Sequence, residues 1–194
     1  MQIENTPKRD LRAVFAEMDR FFRGEGRVHD AMRAIAAHLD EQGIAYAIAG
    51  GMALVAHGYE RVTTNLDVLI GAKDLEEGRR AIVEYHEIES SVPIRLLEAG
   101  RYPGDRRPKP VAFPNPADVT VEIGGIKYVG LAPLIEMKLA SGISNPGRLK
   151  DLADVQETIR ILKLPREFGT RLNAYVRGKF EELYQGVEWN PDGG

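Results

Sequence analysis

A chain of 194 residues, 43% hydrophobic and 28% charged, has the composition of an ordinary soluble globular protein and is long enough to bury a core without staples. It contains no cysteine, which excludes a disulfide framework, a thiolate zinc site and a cysteine nucleophile. A formal charge of −3 excludes a strong global pull towards nucleic acid or anionic membranes, while leaving a local basic patch open.

The opening MQIENTPKRD lacks the apolar core of a signal peptide, and no run approaches membrane-spanning length. A cytoplasmic protein with no membrane partner is therefore expected. Leu11, Val14, Phe15, Met18, Phe21 and Phe22 recur at helical spacing until Gly24-Glu25-Gly26. A second helix is predicted from about Val28 to Glu41, with Met32, Ile35, Ala36 and Leu39 on one face and Gly43 beyond its end. His29 and His38 have no second ligand at metal spacing, so a structural or solvated role is expected for both.

The organising stretch follows, IAYAIAGGMALVAHGYERVTTNLDVLI, residues 44–70. A strand (Ile44 to Ala49) runs into Gly50-Gly51, then a short helix from Met52 to His57. A polar turn, Tyr59 to Thr64, leads to a second strand, Leu66 to Ile70, with Asp67 inside it. Glycines at a helix start let backbone N–H groups approach an anion, and a carboxylate on the next strand is placed to hold a metal against it. Asp67 also has a plainer reading, capping a turn or pairing with Arg61 or Arg95. His57 reads as a capping or packing residue.

Asp74 is expected to cap a helix from Leu75 to about Tyr85, and His86 to Ser91 to break it. Val92 to Leu97 is predicted as a third strand, with Pro93 tolerable near its start. Glu98 to Pro116 carries five prolines and two glycines and reads as a loop, basic through Arg101, Arg106, Arg107 and Lys109. Val119, Val121 and Ile123 alternate with Asp118, Thr120 and Glu122 as a half-buried strand, turned by Gly124-Gly125 into Ile126 to Val129. Helices are then predicted from about Pro133 to Gly142, from Arg148 to about Leu162, and over Phe168 to Leu183, with a frayed tail after Gly186. Lys150 and Asp154 have the spacing of a helical ion pair.

The expected architecture is α/β (α+β), a small mixed sheet flanked by helices. Residues 1–43 form an N-terminal helical extension, 44–130 the core and 131–194 a C-terminal helical segment packed on it, together one compact unit.

GGMALVAHG followed by RVTTNLD resembles the core of the nucleotidyltransferase superfamily. There a Gly-Gly or Gly-Ser helix start precedes two acids separated by one apolar residue. Lys138 with Arg148, Lys150, Asp151 and Asp154 is similar to the C-terminal motif of the AbiEii/AbiGii-like (minimal nucleotidyltransferase) families. The resemblance spans roughly Ile44 to Leu162. It implies a nucleotidyltransferase-like fold, NTP as substrate or ligand, and Mg²⁺ or Mn²⁺ as cofactor to neutralise phosphates and activate the attacking oxygen. It places Asp67 and Asn65 at catalytic positions, Gly50, Gly51, Arg61, Thr63, Arg95, Lys138 and Lys150 on nucleotide or phosphate, and Arg148, Asp151 and Asp154 in support. Asp67 is the implied metal ligand, with Asn65, Asp118 and Glu122 as further candidates.

The chain departs from that pattern where the acids belong. Position 65 is Asn65, and the position matched to the third acid is Arg95, whose charge is opposite and permanent. Glu98, three residues on, is expected to face the other way. Three readings stand side by side. One is metal-dependent transfer of a nucleoside monophosphate from NTP to an RNA, protein or small-molecule acceptor, with a toxin–antitoxin setting and a cognate antitoxin as partner. The second is a catalytically degenerate relative that binds nucleotide or a macromolecular partner without turnover, Arg95 standing in for a metal. The third is an interaction module whose basic loop contacts a macromolecule. The oligomeric state is not legible.

Overall fold

Two short apolar runs form the centre of the sheet. Tyr46–Ala49 (β1) and Leu66–Ile70 (β2) are buried at every position, which is why neither alternates polar and apolar residues. They pair antiparallel, with Ala49 opposite Asp67. Ile94–Glu98 (β3) lies parallel to β2, Arg95 opposite Asp67, and Ile126–Val129 (β5) lies parallel to β1. Thr120–Ile123 (β4) pairs antiparallel with β5, so the strand order is β3-β2-β1-β5-β4. The computed structural model that carries this mixed sheet describes residues 10–89 and 92–191.

Helices flank the sheet as expected: Leu11–Phe22 (α1), Arg27–Glu41 (α2), Gly50–Ala56 (α3), Leu75–Glu89 (α4), Pro116–Val119 (α5), Leu131–Ser144 (α6), Leu149–Ile161 (α7) and Ala174–Trp189 (α8). Side-chain caps set several of their starts. The Asp10 carboxylate accepts from the Arg12 N–H, the Asn115 carbonyl from Ala117 N–H and the Asn173 carbonyl from Tyr175 N–H. No described helix is long and apolar enough to cross a membrane.

One helix belongs to two cores. Leu134 and Met137 of α6 join the cluster built on β1, β2, α2 and α3. Ile135, Leu139 and Ala140 of the same helix join a second cluster with Val155, Ile159, Val176 and Phe180 of α7 and α8. A helix apolar all round is what such a sandwiched position requires. It also carries Lys138 into the seam between the clusters, where the side chain is buried.

Several expectations need correction. Residues 86–89 continue α4, because HEIE contains neither glycine nor proline to stop it; Ser90 and Ser91, the rest of the expected break, lie outside the described residues. Asp118 and Val119 belong to α5, a single helical turn capped by Asn115, so the strand begins only at Thr120. That strand is a sheet edge, and Val121 and Ile123 are exposed rather than half-buried. Phe168 lies on a 3₁₀ turn, Arg166–Arg171, and Leu172 follows it in extended backbone, both ahead of α8, which runs to Trp189 instead of fraying after Gly186.

Candidate functional site

An open cleft of about 1050 Å³ lies between the C-terminal helices, the β2–β3 side of the sheet and the proline-rich loop after β3. It gathers Gly50, Gly51, Arg61, Thr63, Asn65, Asp67, Arg95, Lys138, Arg148, Lys150, Asp151 and Asp154, so the sequence-derived site is one place in space. Asp118 and Glu122 are not part of it. They belong to α5 and to β4, the far edge of the sheet from β3, where Glu122 faces Lys127 across the hairpin.

The parallel β2–β3 register puts Arg95 directly beside Asp67. Its Nε donates to Asp67 Oδ1 and its Nη2 to Oδ2, each at 2.9 Å, a two-pronged pair on a carboxylate only 6% exposed. Asn65 donates its Nδ2 to the same Oδ1 at 3.0 Å, so the end it turns to Asp67 is a donor, while its own Oδ1 accepts from Thr63. Asp67 is thus the paired acid of the plainer reading, with Arg95 as its partner.

The glycine pair is required by close approach. Gly50 has φ +60°, and a Cβ there would stand 2.0 Å from Asp67 Oδ2; a Cβ on Gly51 would stand 2.8 Å from Thr63 Oγ1. The space that the missing side chains leave is therefore filled by Asp67 and Thr63. Both glycines line the cleft wall, but the anion lying against Gly50 is the protein's own carboxylate. Thr63 packs on Gly51, and its hydroxyl donates within its own turn to Asn65.

Below this pair a second charged group locks α6, α7 and the turn before β2 together. Lys138 donates to Asp151 at 3.1 Å and to Asp154 at 2.7 Å; Arg61 reaches Asp154 at 2.8 Å. Ser141 Oγ donates to Asp151 at 2.7 Å and Arg148 Nε to the same oxygen at 2.8 Å. Burial pushes the Asp151 carboxyl up, but Lys138, the Ser141 hydroxyl and Arg148 outweigh it and hold it below the usual carboxylate range. Lys138 and Arg61 are thereby committed to protein carboxylates. Lys150 does not pair with Asp154, whose Oδ2 takes both Lys138 and Arg61 from the buried side. It is exposed on the cleft rim, with no ion-pair partner among the described residues.

Eight basic side chains line the cleft against four acidic ones, in a chain whose net charge is −3. All four acids are ion-paired: Asp67, Asp151 and Asp154 as above, and Glu98 with Arg101 at 3.0 Å. Glu98, the last residue of β3, lies at the cleft wall opposite Ile70 of β2, three register positions from the Arg95–Asp67 pair. Arg106 of the basic loop, at φ +64°, lines the cleft, as does Arg79 of α4, which no motif announces. Lys109, by contrast, is tied inside the loop, donating to the Pro103 carbonyl at 2.7 Å and to Asp105. His57 hydrogen-bonds the Val129 carbonyl at 2.8 Å, a packing role.

A Mg²⁺ or Mn²⁺ ion needs several carboxylate oxygens at one point. Here the cleft offers one carboxylate at the expected position, with both oxygens engaged by Arg95, and no group of three or more His, Asp or Glu among the described residues is placed to hold a metal. The residues present do not fit that ion. A comparison with protein-family models and with curated proteins finds no match to this chain.

Proposed function

We propose that the cleft binds the phosphates of a nucleoside triphosphate through arginine and lysine, without a divalent metal and without turnover, as a degenerate member of the nucleotidyltransferase-like group. The observation that carries this reading is the two-pronged Arg95–Asp67 pair at the point where the resemblance calls for metal-bound acids. A guanidinium supplies fixed positive charge in a planar fork that suits phosphate as well as carboxylate. Arg95 is half exposed to the cleft and its Nη1 is not used on Asp67, so a donor faces outward. Arg106 and Lys150 add charge without ion-pair partners among the described residues, and Arg148 spends only its Nε on Asp151 and Ser141.

Metal-dependent nucleotidyl transfer requires Asp67 to leave Arg95 and to find acidic companions that the cleft does not place beside it. A thermal-shift series tests the choice. An NTP at about 100 times its dissociation constant stabilises by about 2.7 kcal/mol, or about 5–10 °C for a domain of this size. That shift is expected with EDTA present, and labelled NTP is expected to remain intact. Transfer or hydrolysis that disappears in Asp67→Ala overturns the proposal.

A further inference from the structure

The first helix leaves its apolar face open. Of α1, only Phe21 is buried, packed on His29 of α2 with ring centroids 4.8 Å apart. Leu11 and Phe15 are each 66% exposed, Phe22 52% and Met18 37%. Four large apolar side chains on one short helix are not the scattered singles of an ordinary surface. Their spacing is four, three, four, which is the seam of a two-helix coiled coil: Phe15 and Phe22 at a, Leu11 and Met18 at d.

From the seam's charges we infer that this helix docks antiparallel on the same helix of a second copy of the chain. Reversed on itself, the stripe is self-complementary: Leu11 meets Phe22 of the second copy and Phe15 meets Met18, so every layer sets an a position against a d position. The flanking e positions are Arg12 and Asp19. In the antiparallel register Arg12 of each copy faces Asp19 of the other, and the two-fold axis makes this contact twice. In a parallel register e faces g, which holds Val14 and the buried Phe21, and neither charge meets its opposite. Arg12 has no ion-pair partner among the described residues, while Asp19 is shared with the exposed Arg23, just past the end of α1, at 2.7 Å. Orientation is what e and g charges set in such seams.

The absence of cysteine from the chain makes a clean test. Phe15→Cys protein is mixed with Met18→Cys protein and oxidised, and each is also oxidised alone. The antiparallel register predicts a disulfide dimer in the mixture and little in either protein alone. Cross-linking of each protein alone indicates a parallel seam and overturns the proposal, as does no cross-linking in any sample. Sedimentation over a dilution series gives an independent reading. The wild type is expected at twice the 21.5 kDa chain mass, and Phe15→Glu at the chain mass with its melting temperature nearly unchanged. Arg12→Asp and Asp19→Arg are each expected to weaken the dimer, and the doubly swapped chain to recover it. A wild-type monomer throughout, or a Phe15→Glu dimer, overturns the proposal.

Discussion

Arg95 and Asp67 face each other across the parallel β2–β3 pair, and the guanidinium closes both carboxylate oxygens at 2.9 Å. Opposite register positions on neighbouring strands point to the same face, so this contact follows from the pairing itself. It sets a permanent positive charge against the one buried carboxylate of β2. Reversing two residues should therefore change the chemistry of the cleft. Asn65→Asp/Arg95→Glu places three carboxylates together, and Mn²⁺ is expected to raise its melting temperature by several degrees while leaving the wild type unmoved. An equal response of both proteins counts against the account.

Gly50→Ala is expected to be among the most damaging small substitutions in the chain. It forces a non-glycine residue to φ +60° and drives a methyl to 2.0 Å from Asp67 Oδ2. Together these should lower stability by about 3 kcal/mol in urea unfolding. Gly124→Ala has the same φ and nothing within 4 Å, so it isolates the backbone part at about 1 kcal/mol. Equal losses at the two sites would show that Asp67 does not lie against the bend.

Lys138→Met keeps the length of the side chain and removes its charge between two buried carboxylates. Arg61, Arg148 and Ser141 still serve Asp154 and Asp151, so the loss is expected at about 3 kcal/mol, the lower end for a broken buried ion pair. Equilibrium unfolding measures it. A loss under about 1 kcal/mol would place the lysine in a solvated position instead.

Stability should fall in two steps as pH falls. Burial first, then the charge of Arg33, pushes the His29 imidazole below its ordinary value, against a hydrogen bond with the Phe21 backbone and the charge of Asp30. Its Nε2 is buried without a hydrogen-bond partner among the described residues. The unfolded chain therefore takes that proton first, and stability that is complete above about pH 6.5 is lost on descending through it. Asp151 is shifted below the usual carboxylate range, so its contribution persists to about pH 3.9 and is lost below. His29→Phe is expected to abolish the first step and keep the second, as read from denaturation midpoints across the pH range.

Much of the fold was legible because its central strands are short unbroken apolar runs bounded by turn residues, and its helices carry regular stripes. The errors fall where local pattern does not record burial. Val121 and Ile123 alternate as a half-buried strand does, yet a sheet edge leaves them exposed. HEIE looks like a polar break, yet polarity alone does not stop a helix. In the site, Gly50, Asp67 and Arg95 were traceable because a bend and a strand register carry them. The commitment of Lys138 and Arg61 to Asp151 and Asp154 was hidden, since it depends on how α6 and α7 pack rather than on spacing along either helix. Arg79 had no local signal, and the basic loop that holds Arg106 did not announce where it would lie, because only the folded chain brings α4 and the loop to the same cleft.

Calorimetric titration of NTP into wild-type and Asp67→Asn protein, each with EDTA and again with Mg²⁺, tests the metal-free phosphate site most directly. Removing one negative charge and releasing Arg95 should leave binding as tight or tighter, by about tenfold at most, with or without the metal. Binding that appears only with Mg²⁺ and vanishes in Asp67→Asn would contradict the account.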